Sequence, residues 1–133
     1  MPYLLDSDWC IDVLAGKPEA VSLVDQLMGD GVAISVITYM KVYQGVERSP
    51  HPAHAEAQFE LFLQPIRVIP ITTHVGKRCA RLRHYLRQHG KRVNSRALDL
   101  LNAAVALEHN LVLVTRNVED YDDIPDLRLH QHG

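Results

Sequence analysis

Short apolar runs alternate along this chain with longer stretches whose apolar residues recur every three or four positions, the mark of strands interleaved with amphipathic helices. Tyr3–Leu5 predicts a first strand, and Ser7 is placed to cap a helix carrying Trp9, Val13 and Leu14 that Gly16 ends. Pro18 suits a helix start, and Val21, Val24, Leu27 and Met28 supply its stripe before Gly31. Residues 32–36 read as a strand, after which Thr38 opens another helix. A further helix is predicted over 51–62 and a strand rich in β-branched residues over 67–71. Val75, Cys79, Leu82 and Leu86 then mark one face of a helix that ends at Gly90. Residues 95–109, with Leu98, Leu101, Val105 and several alanines, predict a helix buried over much of its surface. Residues 111–114 read as a strand covered on both faces, and 127–129 as a short edge strand. Strands separated by helices need crossover connections, so the fold class is α/β, with a mainly parallel sheet and helices on both faces.

A chain of 133 residues with 47% hydrophobic content fits one domain spanning 1–133. Cys10 and Cys79 have neither metal-ligand spacing nor a disulfide framework, and both fall on predicted buried helix faces, which suits a reducing cytoplasm. No apolar run approaches the roughly 18–20 residues of a membrane span, so the expectation is a protein neither exported nor membrane-bound. Of the eight histidines, only His51/His54 and His130/His132 lie close in sequence, and the terminal pair does not read as a metal site.

Net charge is only −2, but its distribution is uneven. Lys77, Arg78, Arg81, Arg83, Arg87, Lys91, Arg92 and Arg96 fall together, and no acid occurs between Glu60 and Asp99. Such a field suits a polyanion, with Lys77, Arg81, Lys91, Arg92 and Arg96 the candidate nucleic-acid contacts. The alternative is a solvated helix face whose cationic stems cover apolar surface.

Candidate chemistry comes from where the apolar runs end. Asp6 follows the first strand, Asp99 lies in the opening turns of its helix, and Asn117 and Asp120 follow the strand over 111–114. Side chains at such ends converge outside the carboxyl edge of a parallel sheet, and clustered carboxylates invite Mg²⁺ or Mn²⁺. Each acid also has a structural alternative: Asp99 complements a helix dipole, and Asp120 belongs to an acidic turn with Asp122 and Asp123.

These residues bring a family into view. The segments Tyr3-Leu4-Leu5-Asp6-Ser7-Asp8, Ile34-Ser35-Val36-Ile37-Thr38, Val42-Tyr43-Gln44-Gly45-Val46, Asp99-Leu100-Leu101-Asn102-Ala103-Ala104 and Leu113-Val114-Thr115-Arg116-Asn117 resemble, in order, the PIN-domain ribonucleases and specifically VapC-type toxins. The resemblance implies a three-layer α/β/α sandwich of about four to five strands and metal-assisted hydrolysis of RNA, often tRNA. It implies Asp6 and Asp99 as ligands of Mg²⁺ or Mn²⁺, with Asn117 and Asp120 completing the acidic pocket. A VapB-like antitoxin and a homodimer built from helical surfaces are further implications. In that chemistry the cation polarises the phosphate and lowers the pKa of a bound water.

One expected acid is missing. VapC-like sequences carry Thr-x-x-Glu where this chain has Thr38-Tyr39-Met40-Lys41. With Thr38 as N-cap, a cation three residues on would also oppose the helix dipole, a cost of roughly 0.3–1 kcal/mol that the fold survives. An ammonium cannot ligate Mg²⁺, so Lys41 is expected to form a salt bridge with Asp6 or Asp99, weakening metal binding and nuclease activity; the alternative is a lysine pointing to solvent. Arg116 is positioned either to hold the RNA backbone or to pair with Asp120 or an antitoxin acid. Two other function classes stand beside the nuclease. One is a catalytically dead module that binds RNA or antitoxin. The other is a haloacid-dehalogenase-like phosphatase using Asp6 and Asp8. Val21, Val24, Phe59, Leu61 and Phe62 exceed what a small core needs, which permits a partner surface without requiring one.

Overall fold

The structure, a computed structural model, describes residues 2–131; His132 of the terminal histidine pair lies outside them. Elements follow in the order β1 (Tyr3–Leu5), α1 (Ser7–Leu14), α2 (Pro18–Met28), β2 (Val32–Ser35), α3 (Val36–Arg48) and α4 (Pro52–Leu63). They continue with β3 (Arg67–Ile69), α5 (Thr73–Gln88), α6 (Ala97–Glu108) and β4 (Val112–Val114). The four strands pair in the order β3-β2-β1-β4, and every pairing is parallel. Tyr3 sits opposite Val32 on one side and Val112 on the other.

Period-two alternation splits the core between the two faces. Leu4, Ala33, Ile69 and Leu113 pack with Val75, Leu86, Leu100 and Ala104 of α5 and α6. Leu5, Ile34 and Val114 pack instead with Trp9, Val24, Val42 and Phe59 from α1–α4. Helices therefore cover both faces, the three-layer arrangement expected. Phe59 and Val24 belong to this core, at 1% and 4% exposure, so they are not available for the partner surface the sequence permits; Leu61, 64% exposed, does remain outside. Phe59 is buried because Tyr39 and Phe62 pack around it, the ring centroids lying 5.2 and 6.4 Å away. Cys10 and Cys79 are both buried free thiols. No helix among the described residues is long and apolar enough to cross a membrane.

Several boundaries differ from expectation, each for a local reason. Strand β2 stops at Ser35 because Ser35 itself caps α3: its Oγ accepts the Thr38 N–H at 3.2 Å. Thr38 thus lies inside the helix, and Lys41, its sixth residue, sits beyond the first turn where the dipole opposes a cation. Asp6 caps α1 in place of Ser7, accepting the Ser7 N–H at 2.9 Å. Strand β3 ends before Pro70, which has no N–H to donate to a ladder. The predicted edge strand over 127–129 reduces to one parallel bridge between Leu113 and Leu129.

Gly31, at φ +99°, turns the chain from α2 into β2. A Cβ there would meet Pro2 at an ordinary 3.8 Å, so the obstacle is backbone strain alone. Gly31→Ala is expected to lose about 1–2 kcal/mol in urea unfolding. Gly29→Ala, at φ −60° with open space, serves as the neutral comparison; equal midpoints for the two would sink this account.

Candidate active site

Because β1 connects to β2 on one side and pairs with β4 on the other, the strand order reverses between β1 and β4, the position where open α/β sheets collect ligands. Asp6 leaves β1 at this switch point, and Thr115 leaves β4 beside it. The Thr115 hydroxyl donates to Asp6 Oδ2 at 2.7 Å while the Ser7 N–H holds Oδ1. Asp6 is only 4% exposed, and burial raises its pKa above the usual carboxylate value. The hydrogen bonds from Thr115 and Ser7, then the charge of Lys41, oppose that rise.

Asp99 arrives from the third position of α6. Its Oδ1 accepts the Tyr121 hydroxyl at 3.1 Å and lies 3.6 Å from Lys41 Nζ. The salt bridge expected from Lys41 to one of the two carboxylates is thus present. Both side chains are partly exposed, at 30% for Lys41 and 22% for Asp99, so water weakens the pair but does not open it. Tyr121 is 1% exposed, and burial followed by the nearby Asp6 and Asp99 charges pushes its ionisation far up. It stays a neutral donor.

Behind Tyr121 runs a polar chain through an otherwise apolar layer. Asn102 hydrogen-bonds the Tyr121 hydroxyl, and its Oδ1 accepts the Ser35 hydroxyl at 2.6 Å. Ser35 in turn caps α3, so the helix carrying Lys41 and the helix carrying Asp99 are tied through one network. Pattern reading passed over Ser35, Asn102, Thr115 and Tyr121, although Asn102 is a lone amide in a helix of alanines and leucines. That mismatch was the available signal, since buried polar groups demand partners.

The remaining candidates have partners of their own. Asn117 donates from Nδ2 to Asp8 Oδ2 at 3.1 Å, and its backbone N–H donates to Thr115 Oγ1, the hydroxyl that holds Asp6. Asp120 is ion-paired with Arg92. Arg116 pairs with Asp12, not with Asp120, and its guanidinium lies 3.9 Å from the centroid of the Trp9 ring. Arg96, assigned to RNA from the charge run, is 2% exposed. It forks onto both Asp123 oxygens at 2.6 and 2.8 Å and also donates to the Asp120 and Arg92 carbonyls, so it is a structural clamp. Lys77, Arg81 and Lys91 are exposed.

A divalent cation needs several oxygen ligands with excess negative charge. Here two carboxylates face one ammonium, and among the described residues no three acidic, histidine or cysteine side chains converge on a metal-sized point. Asp99 Oδ1 already receives both Tyr121 and Lys41. The residues present do not fit Mg²⁺ or Mn²⁺.

Comparison with known proteins places this geometry. The sequence profile of the PIN domain matches residues 3–127. This chain belongs to the PIN-domain family. Among related PIN proteins, it is 29% identical over 129 residues to the tRNA(fMet)-specific endonuclease VapC of Salmonella typhimurium, covering 97% of this chain and 96% of that one. It is 28% identical to ribonuclease VapC2 of Rickettsia felis, with the same coverage. The crystal structure of Rickettsia felis VapBC2 bound to a promoter DNA fragment contains a chain that superposes with a TM-score of 0.87 at 25% identity, covering all of both chains. PIN-domain nucleases generally depend on a divalent metal. Membership also removes the phosphatase alternative, and Asp8 instead anchors Asn117.

Proposed function

We propose that this chain is a VapC-like ribonuclease toxin whose catalytic centre is disabled by Lys41, leaving a protein that still engages RNA and a VapB-like antitoxin. The observation that carries this reading is Lys41 Nζ lying 3.6 Å from Asp99 Oδ1, where the family's metal chemistry calls for an acid. Thr115 and Ser7 hold Asp6, while Tyr121, itself bonded by Asn102, holds Asp99, so the two acids are already in place. Lys41 neutralises their field. RNA, with tRNA as the first class to test given the Salmonella relative, is the substrate this scaffold serves. A homodimer and a VapB-like antitoxin are its expected protein partners, the latter by likeness to the Rickettsia complex.

Mn²⁺ titration of the native chain, Lys41→Met and Lys41→Glu tests this reading without depending on turnover. Lys41→Met removes repulsion and Lys41→Glu also adds a ligand, so affinity should rise in that order, by at least about tenfold for the Glu form. Equal Mn²⁺ affinity across the three would overturn the proposal.

A further inference from the structure

A pronounced concave surface lies away from the acidic site. Its lining includes Leu107 and Glu108 at the far end of α6, about 13 Å along the helix from Asp99 at 1.5 Å per residue. The cavity measures about 440 Å³, within the range of small-ligand pockets. Leu82, Leu107 and Pro125 give it an apolar lining, while His74, Lys77 and Arg81 line it from α5 at helical spacing. Tyr85 completes that row, 40% exposed, with one side of its ring taken by His89 at a centroid distance of 4.0 Å.

Charge in this pocket is one-sided. Its only acid is Glu108, which Arg78 Nε holds at 2.6 Å. Lys77 and Arg81 have no acid within ion-pairing distance among the described residues, unlike Arg92, Arg96 and Arg116. Two free cations beside an exposed aromatic ring and an apolar wall match the two halves of a nucleotide: phosphate on Lys77 and Arg81, base against Tyr85 and Leu107.

We propose that this pocket between α5 and α6 binds a nucleotide, supplied by RNA held at a second point away from the acidic centre. The inference rests on RNA being the polyanion of the proposed function. It would anchor a long substrate independently of metal, so it stays intact in a chain whose centre is closed. Arg78 belongs to Glu108 and is not part of the recognition.

Binding of a labelled oligoadenylate, measured in EDTA, tests the pocket. Charge reversal at Lys77→Glu with Arg81→Glu should weaken binding at least tenfold. It should also lower the slope of log affinity against log salt by about 1.4, for two single-strand phosphate contacts. Tyr85→Ala should weaken binding about fivefold and leave the slope unchanged. Arg48→Glu with Arg67→Glu, exposed and elsewhere on the surface, controls for net charge and should cost less than about twofold. Circular dichroism melts confirm that each variant is folded. If the native chain binds the oligonucleotide and the pocket variants match the control pair, the pocket proposal falls while RNA binding stands. Tyr85-dependent binding of 5′-AMP without oligonucleotide binding would keep the pocket as a free-nucleotide site and reject the RNA reading. Binding of neither probe overturns the pocket. So does loss of antitoxin capture at unchanged RNA affinity, which would reassign the surface to an acidic protein segment.

Discussion

Lys41→Glu is expected to raise Mn²⁺-dependent RNA cleavage by about 10²-fold or more over the native chain. A metal contributes several kcal/mol to stabilising a phosphate transition state, and each 1.36 kcal/mol is tenfold in rate. The scaffold for that gain already exists: Asp6 is fixed by Thr115 and Ser7, and Asp99 by Tyr121. Replacing the ammonium 3.6 Å from Asp99 changes the local charge by two units at a position where one face is protein. The same substitution brings three acids together, so without metal the variant should be less stable, by on the order of 1 kcal/mol given the exposure of the pair. Mn²⁺ should restore that loss by binding only the folded state. Cleavage and thermal melts, each with EDTA and with Mn²⁺, measure both effects. Equal cleavage by the native chain would sink the disabled-centre reading; cleavage by neither form, with RNA still bound, would favour a pure binding module.

Arg96→Met is expected to be the most destabilising single change outside the apolar core, at about 3 kcal/mol. Removing one partner of a buried pair costs roughly 3–5 kcal/mol, and the lower end applies because the Asp123 side chain is 23% exposed and rehydrates. For a chain of this size the melting temperature should fall by about 10 °C. A pH dependence accompanies it. The Arg96 hydrogen bonds, ahead of the desolvation that opposes them, hold Asp123 below the usual carboxylate range. A depressed folded-state value means the pair stabilises above the unfolded-state pKa and loses that contribution as pH falls through the folded one. Native protein should therefore lose stability over this acid window, and Arg96→Met should lack that part of the slope. If the variant instead melts normally and loses RNA affinity, Arg96 is the surface contact that the charge run suggested.

The contrast between Arg96 and its neighbours shows where sequence reasoning stopped. Lys77, Arg78, Arg81, Arg92 and Arg96 look alike as letters in one acid-free stretch. Their fates differ because the acids that take them, Glu108, Asp120 and Asp123, lie 27 to 30 residues away in sequence. Thr38 and Ser35 are equivalent caps by residue type. Only the direct junction of β2 with α3, with the Ser35 hydroxyl shared between the helix and Asn102, selects Ser35.

The sequence by itself determined the alternation of strands and helices, the two-sided burial of the sheet and the position of Asp6 at a strand end. These follow from side-chain periods of 2 and 3.6, which are local properties of the backbone. It also identified Lys41 as the residue out of place. Tertiary structure alone decided that Lys41 meets Asp99, that Asn117 pairs with Asp8 and Asp120 with Arg92, and that the Tyr121 hydroxyl stands beside Asp99. Charges and hydrogen bonds act within a few ångströms, and only the crossover connections of a parallel sheet decide which distant residues come that close.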